Sequence, residues 1–264
     1  MYDKVSRLMK PIDATKWIRH FLANRRNRPE PEWDLPLGLA PDLIVQLRPS
    51  IEQFQLGDGG GPASLIAHDA PKYRNSSEAT RRIVDFWFEE EREHSRLLGQ
   101  AVKRLHGKRI ESHWSFSAFC ACRRIIGVCA ELQILLLTEL VSTAYYTVLR
   151  RHVDDLPMKQ MCSLILRDEA GHVAFHRDRL AACEKERGIF WALQFWLCGY
   201  AAATMLWVNH GPCLRPFGAR TKEYYHEVRF QISRFIRRLY HLQFAIHENK
   251  TVIPNAALAP RATA

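Results

Sequence analysis

The sequence lacks several features that would narrow its function at once. Its seven cysteines include no CxxC pair, so a thiolate metal site is not predicted. Most of these cysteines stand in apolar helical surroundings, which is typical of reduced, buried thiols in a cytoplasmic protein. The first twenty residues are charged and amphipathic, and no signal peptide is visible in them. Low-complexity segments and RNA-binding motifs are missing too, so the pattern favours an ordered cytoplasmic protein.

Charge is scarce in two long stretches. Residues 117–150 contain only two acids, Glu131 and Glu139, and residues 189–208 contain no charged residue at all. The second stretch is long enough to span a bilayer. A buried fifth helix of the same domain is the preferred interpretation, because a basic flank alone is weak evidence for membrane contact. Membrane association through residues 189–208 is the alternative.

Positive charge is in excess over the whole chain. The formal net charge is +10 and the sequence pI is about 9.4. Such a balance permits an acidic partner, such as nucleic acid or an anionic membrane face. Outside two arginine groups near the ends of the chain the basic residues are spread out, so the charge is weak evidence for either partner.

Two Glu-x-x-His units lie inside the apolar stripes of two predicted helices. Glu91 and His94 form the first unit, and Glu169 and His172 form the second. Residues at i and i+3 project side by side from one helix face, so each pair can share one partner. A buried carboxylate and imidazole cost free energy unless something pairs with them, and a metal ion is one such partner. Two such units make a solvated helix face a poor explanation.

Each unit is preceded by one further acid at the distance expected for an antiparallel helix pair. Returning to the same depth of a bundle takes roughly thirty residues, because half of each helix and a turn must be traversed. Glu139 precedes Glu169, and Asp58 precedes Glu91, by about this distance. Four carboxylates and two imidazoles match the established pattern of di-iron and di-manganese bundles. The predicted metal ligands are Asp58, Glu91, His94, Glu139, Glu169 and His172.

The sequence leaves alternatives open within this ligand set. Asp58 is one methylene shorter than a glutamate, and Glu52 is a fallback whose greater distance to Glu91 fits less well. Glu90 lies one turn before His94 and can compete with Glu91. We favour Glu91, because it reproduces the spacing of the second unit.

Three further residues near the motifs have both a functional and a structural interpretation. His176 lies one turn beyond His172 and is an alternative ligand, whereas Tyr145 and Tyr146 lie up to two turns past Glu139 and can be redox-active. Packing, or solvation for the histidine, is the preferred interpretation of all three, because single residues of these types are common in helix interiors.

The hydrophobic periodicity predicts an all-α protein. Helices are expected at residues 13–26, 78–99, 117–150, 158–186, 189–208 and 221–247. Between residues 41 and 70 the prediction is less clear, because the glycine-rich run 57–61 would weaken any helix. We expect three segments: an N-terminal helix and proline-rich linker at 1–40, a di-metal bundle at 41–210, and a basic helix and tail at 211–264.

Five stretches share a pattern with a known superfamily. They are residues 17–24, Phe54-Gln55-Leu56-Gly57-Asp58, Glu90-Glu91-x-x-His94, Thr138-Glu139 and Asp168-Glu169-x-x-His172. Over about residues 15–210 the chain resembles the ferritin-like di-iron carboxylate superfamily, which includes rubrerythrin, the ribonucleotide reductase small subunit and methane monooxygenase hydroxylase, and in particular a bacterial branch of it. The resemblance implies a ferritin-like four-helix bundle with additional N- and C-terminal helices.

The resemblance also implies how the ligands divide. One metal would be held mainly by Asp58, Glu91 and His94, and the other by Glu139, Glu169 and His172, with some carboxylates bridging. Asp168 and Glu90 would accept the remaining N–H of a metal-bound histidine and so fix its tautomer. The chain departs from the branch at residue 58, where glutamate followed by fewer glycines is more usual.

Carboxylate-rich, imidazole-poor sites suit iron or manganese. We therefore expect two iron ions, with manganese or a mixed Fe/Mn pair as alternatives. The leading hypothesis is an oxidase or oxygenase that activates dioxygen on an unknown small-molecule substrate, with an electron-donor protein and a homodimer as possible partners. The alternatives are a ferroxidase or iron-handling protein, and a non-catalytic helical protein whose arginine-rich C-terminal helix binds nucleic acid or a membrane.

Overall fold

The structure is a computed structural model that describes residues 13–58, 64–71, 78–182 and 187–252. The glycine-rich run at residues 59–62 and the C-terminal tail after residue 252, both singled out in the sequence, lie outside the described residues. Within the described ranges there are α-helices and one short 3₁₀ turn and no β-strand. The prediction of an all-α protein is therefore confirmed, whereas the ferritin-like topology stays a prediction.

Eight α-helices follow one another along the described part of the chain. They are α1 (Ala14–Arg26), α2 (Pro41–Gly57), α3 (Glu78–Arg104), α4 (Trp114–Ile125), α5 (Val128–His152), α6 (Leu156–Ala182), α7 (Ile189–Leu214) and α8 (Thr221–Val252). The 3₁₀ turn Arg215–Phe217 connects the last two. The first helix begins as expected, because Asp13 Oδ1 accepts a hydrogen bond from the backbone N–H of Lys16 at 3.0 Å.

The segment after the proline-rich linker, where the sequence prediction was less clear, forms one helix at its start, Pro41–Gly57. α2 runs through Pro49, although a proline inside a helix removes one backbone hydrogen bond. Burial offsets this cost, because Leu47 and Ile51 on either side of the proline are fully buried. As a result α2 carries Asp58 at its C-terminal end.

Two other helix boundaries differ from the sequence prediction. α3 continues past residue 99 to Arg104, because Ala101 and Val102 are buried in the core and favour further helical turns. The apolar run at residues 117–150 is divided into α4 and α5 by extended backbone at Ile126 and Gly127. Glycine has low helix propensity, so the chain can leave the helix there at little cost.

The helices α5 and α6 form a hairpin across the short connection 153–155. Glu139 lies as far before His152, the last residue of α5, as Glu169 lies after Leu156, the first residue of α6. The two glutamates therefore stand at the same depth of the hairpin, as their spacing in the sequence predicted.

Two hydrophobic clusters hold the helices together. The larger one is built from α2, α3, α5, α6, α7 and α8, and the smaller one joins α1 to α3, α5 and α6 through Trp17, Trp87 and Phe175. The N-terminal helix α1 thus packs on both helices that carry the Glu-x-x-His units, α3 and α6, and the C-terminal helix α8 packs on α5, α6 and α7. Of the described cysteines, Cys120 and Cys162 are buried, Cys213 is partly buried, and Cys122, Cys129 and Cys198 are exposed, so the prediction that most thiols are buried is wrong.

The charge-free helix α7 is buried on one face only. The buried residues recur every three or four positions: Ala192, Phe195, Gly199, Ala203, Trp207, Gly211 and Leu214. By length and composition Val128–His152 and Ile189–Phe217 are both apolar enough to cross a membrane, which is weak evidence by itself. The first is a core helix with 72% of its apolar window buried, and the second has 22% buried. The expected helix is therefore present, but only one of its faces is buried.

Candidate metal centre

Five of the six predicted ligands lie together where α3, α5 and α6 meet. Glu91, Glu139 and His172 each offer one ligand atom, and these three atoms lie within 4.8 Å of one another. His172 Nδ1 lies 3.0 Å from Glu91 Oε1 and 3.5 Å from Glu139 Oε2. Two atoms that share an ion through bonds of about 2.1 Å lie roughly 3–3.5 Å apart, so this spacing fits coordination by a common ion.

His94 and Glu169 complete the cluster. His94 Nδ1 lies 3.8 Å from Glu169 Oε1 and 3.8 Å from Glu91 Oε2, and Glu169 Oε2 lies 3.5 Å from His172 Nδ1. The side chains of His94, His172 and Glu169 are buried, whereas Glu91 is 14% exposed. The cluster is therefore closed to solvent on the histidine side and open at Glu91.

The two histidines are held by acids from the opposite helix. His94 Nε2 on α3 lies 3.3 Å from Asp168 Oδ2 on α6, and His172 Nε2 on α6 lies 3.0 Å from Glu90 Oε2 on α3. An ionised carboxylate can only accept, so each Nε2 carries a proton, and in the neutral form of each ring Nδ1 keeps a lone pair. Asp168 and Glu90, which precede the predicted ligands Glu169 and Glu91, thus each contact the histidine of the opposite helix.

Three buried atoms of the cluster have no hydrogen-bond partner within the described part of the chain. They are His94 Nδ1, His172 Nδ1 and Glu169 Oε2. Buried polar atoms without a partner cost about 1–3 kcal/mol each. His172 Nδ1 lies 3.5 Å from Glu169 Oε2, and His94 Nδ1 lies 3.8 Å from the other oxygen of Glu169. All three atoms are of the nitrogen and oxygen types that bind iron or manganese. The donor types present therefore fit iron or manganese.

Asp58 approaches the cluster from the end of α2 and is tied to a tyrosine. Tyr146 donates its hydroxyl hydrogen to Asp58 Oδ2 at 2.7 Å. Burial, and then the neighbouring carboxylate of Glu91, raise the pKa of Asp58 to about 7. The structure thus places Asp58 beside the predicted ligands, but outside the trio Glu91, Glu139 and His172. Its role as a ligand stays a prediction.

The carboxylates of the cluster repel one another. Burial, and then the charge of Glu139, raise the pKa of Glu169 well above its ordinary value. Burial alone would lower the pKa of His172, but the charge of Glu139 and the hydrogen bond with Glu90 outweigh it and raise that pKa well above the usual range. Two divalent cations would relieve the repulsion directly, because a cation within about 4–6 Å favours the charged form of a carboxylate.

Arg28 is a charged partner of the centre that the sequence did not reveal. It lies in the proline-rich linker, and its Nη2 atom is 2.7 Å from Asp168 Oδ2 and 3.5 Å from Glu90 Oε1. Burial alone would raise the pKa of Asp168, but the hydrogen bond from His94 and the nearby arginine charges outweigh it and lower that pKa to about 2. Nothing in the local sequence marks this arginine, because its two acidic partners lie on α3 and α6, far along the chain.

The remaining candidates lie outside the cluster or beside it. Glu52 accepts a hydrogen bond from the backbone N–H of Lys108 at 2.9 Å and so serves a surface loop. His176 is fully buried, which excludes a solvated histidine, and its Nε2 has no hydrogen-bond partner among the described residues. Tyr145 packs against Phe54 with ring centroids 4.1 Å apart. Packing is therefore the observed role of Tyr145.

Trp87 is a further neighbour that sequence reasoning passed over. Its indole Nε1 donates a hydrogen bond to Glu91 Oε1 at 3.1 Å from the preceding turn of α3. The ring also lies edge-on to His176, with centroids 4.8 Å apart. The i, i+4 spacing of Trp87 and Glu91 in one apolar stripe could have revealed this contact.

An apolar cavity of about 590 Å³ opens onto the cluster. Four of the predicted ligands line it at one end: Asp58, Glu91, Glu139 and Glu169. The other walls are mostly apolar and come largely from α4, α5 and α7, with Phe119, Leu135, Ala202, Met205 and Leu206 among them. Pockets of this size with a few convergent polar groups are typical of small-molecule sites.

Comparisons with known proteins give no independent assignment. No family model, no curated protein and no solved structure matches this chain.

Proposed function

We propose that the chain is a di-iron carboxylate oxidoreductase that activates dioxygen to oxidise an apolar small molecule, and that it is a member of the ferritin-like superfamily that it resembles. A manganese or mixed Fe/Mn pair is the alternative cofactor. Two iron(II) ions held by flexible carboxylates can reduce dioxygen together, provided that the protein leaves open positions and a dry cavity. An electron-donor protein is an implied partner.

The unpartnered Nδ1 atoms of His94 and His172 carry this proposal. Each histidine has its other nitrogen engaged by an acid, and each Nδ1 faces the glutamate cluster. A metal-binding histidine typically has this combination of one nitrogen engaged by an acid and one available nitrogen. Asp168 and Glu90 orient the rings, and the surrounding helices exclude water from them.

The cavity supports an organic substrate over iron storage alone. A ferroxidase needs access for ions and dioxygen, but it does not need a chamber of about 590 Å³ with mainly apolar walls. The end of the cavity that is lined by carboxylates coincides with the cluster, so a molecule in the cavity would lie beside the predicted ligands. Apolar walls favour hydrocarbon or aromatic groups, because burial contributes about 25 cal/mol per Å² of apolar surface.

The exposed face of α7 supports a membrane as the source of that substrate. Large apolar side chains are at least half exposed at Ile189, Phe190, Leu193, Leu197, Met205 and Val208. The helix contains no Asp, Glu, Lys or Arg from its first residue to its last, and exposed Arg215 and Arg220 follow it. An apolar face with basic flanks suits a helix that lies in an anionic membrane surface. The opposite face packs on the bundle, so the helix would lie along the membrane and not cross it.

Metal analysis tests the centre. Protein grown with iron and manganese is expected to contain about two metal ions per chain by elemental analysis. The double variant Glu91→Gln, Glu169→Gln is expected to lose them, while Glu89→Gln, Glu93→Gln on the same helix as Glu91 is the charge-matched control and is expected to keep them. Metal-free wild-type protein, or equal metal in both variants, would contradict the proposal. Dioxygen uptake by the reduced, iron-loaded protein then separates an oxidase from a non-catalytic helical protein.

Vesicle flotation tests the membrane contact. Wild-type protein is expected to float with vesicles of phosphatidylcholine and phosphatidylglycerol, and Leu193→Glu, Leu197→Glu is expected to stay at the bottom of the gradient. Phe230→Glu, Phe244→Glu changes two exposed apolar residues of α8 and serves as the control. A stable wild-type dimer that dissociates in the α7 variant and does not float would instead identify this face as a homodimer interface.

A further inference from the structure

A second cavity lies on another side of the bundle, between α5, α6 and α8. Its volume is about 260 Å³. Four arginines line it: Arg150, Arg177, Arg234 and Arg238. The only carboxylate among the described residues that line it is Glu169. The cavity, which we call the basic cavity, therefore combines a strong excess of positive charge with a concave shape.

These arginines are poorly neutralised by the protein. Arg177 forms an ion pair with Asp178 at 2.7 Å, and Arg150 makes only a long hydrogen bond to Ser163 at 3.4 Å. Arg238 has no ion pair with any described residue. Burial, and then the charges of the neighbouring arginines, lower the pKa of Arg238. Arg150 and Arg238 are exposed, so solvent screens part of the repulsion between the arginines, and a bound anion would relieve the rest.

Glu169 forms the boundary between the two cavities. It is the one described residue that lines both of them, and its side chain is 2% exposed. The apolar cavity reaches Glu169 from the side of Glu91 and Glu139, and the basic cavity reaches it from the side of Thr143 and Arg177. An anion in the basic cavity would therefore lie near the cluster without entering the apolar cavity.

We infer that the basic cavity is a binding site for a small anion that carries a phosphate or carboxylate group. Guanidinium groups match both groups geometrically, because their N–H donors form a planar fork. The cavity of about 260 Å³ has room for phosphate or a short carboxylate.

Isothermal titration calorimetry of the full chain with inorganic phosphate and with succinate tests this inference. Saturable binding of at least one of these anions at low salt is expected. The double variant Arg234→Gln, Arg238→Gln is expected to bind at least tenfold more weakly or not at all, because two guanidinium groups that would hydrogen-bond to the anion are removed. Lys222→Gln, Arg229→Gln on the same helix removes the same charge outside the cavity and is expected to bind as the wild type does.

The outcomes identify the source of the anion. Binding of inorganic phosphate or succinate indicates a soluble ligand, whereas binding only to vesicles that contain phosphatidic acid indicates a lipid headgroup. In either case the Arg234, Arg238 variant must lose the binding and the control must keep it. No binding to any of these probes, or equal binding by both variants, would overturn the inference. Because metal content is measured separately, failure here leaves the di-iron proposal standing.

Discussion

Removing the charge of Asp168 is expected to weaken metal binding, although Asp168 itself is not a predicted ligand. Its Oδ2 atom lies 3.3 Å from His94 Nε2 and 2.7 Å from Arg28 Nη2, and its side chain is fully buried. In Asp168→Asn the amide can turn a donor toward His94, so the ring is no longer held with its proton on Nε2. The lone pair on Nδ1 is then only partly available.

The size of the effect follows from this contact. Loss of an acid that orients a ligating histidine typically lowers metal affinity by about 10- to 100-fold, or about 1.4–2.8 kcal/mol. Stability in the metal-free state should also fall, because breaking a buried ion pair costs about 3–5 kcal/mol. That figure is an upper bound here, since Arg28 also lies 3.5 Å from Glu90 and keeps one partner.

Two measurements separate these effects. Competition against a metal-binding dye gives the affinity for Fe(II) or Mn(II), and urea denaturation of the metal-free protein gives the free energy of unfolding. Asp178→Asn, on the same helix but paired with Lys16 at 2.6 Å, is the control and should bind metal normally. A folded Asp168→Asn protein whose affinity lies within about twofold of the wild type would refute the orienting role.

Two further predictions concern stability. Arg104→Gln should lower the free energy of unfolding by about 3–5 kcal/mol, because Arg104 is buried and pairs with Asp155 at 2.7 Å. Arg96→Gln breaks the ion pair of an arginine whose side chain is 40% exposed, so it should cost about 0–1 kcal/mol in the same urea titration. Burial lowers the pKa of His210 from 6.5 to about 3, so the folded state resists its protonation. The free energy of unfolding should therefore decrease as the pH falls from 6.5 to about 3, by up to about 1.4 kcal/mol per pH unit. His210→Asn should show a shallower decrease in the same titration. Equal slopes for the wild type and the variant would contradict the role of His210.

The sequence predicted the core of the site because helix geometry is local. Two acids occur in the apolar run at residues 117–150, and only their distance to the second Glu-x-x-His unit distinguished them. Glu139 lies in the cluster, as the hairpin spacing required. Glu131 instead accepts hydrogen bonds from Arg123 and from the backbone N–H groups of Ile66 and Ala67. The same residue type thus lies in the candidate metal centre at one position and attaches a loop two turns away.

The features that the sequence missed are those that depend on long-range packing. The crossed pairing of Asp168 with His94, and of Glu90 with His172, requires a particular rotation of α3 against α6. No spacing within either helix specifies that rotation. The exposed face of α7 was missed for a related reason: a charge-free run has the same composition whether its outer face contacts protein or not. Only the neighbours of a helix decide which of its faces are buried.

The two cavities differ in polarity, and this difference limits what can reach the cluster by each route. One cavity is mainly apolar and touches Asp58, Glu91 and Glu139, whereas the other is lined by arginines, and Glu169 lies between them. An apolar molecule gains nothing in the basic cavity, and an anion loses hydration in the apolar one. Substrate and anion would therefore approach the same carboxylate from opposite sides without competing.

The negative charge of Glu169 would repel an anion in the basic cavity. A cation bound at Glu169 would reduce that repulsion, so the anion and the cation should each bind more tightly when the other is present. Calorimetry with phosphate in the presence and absence of Mn(II) measures that coupling, and tighter phosphate binding without the metal would refute it.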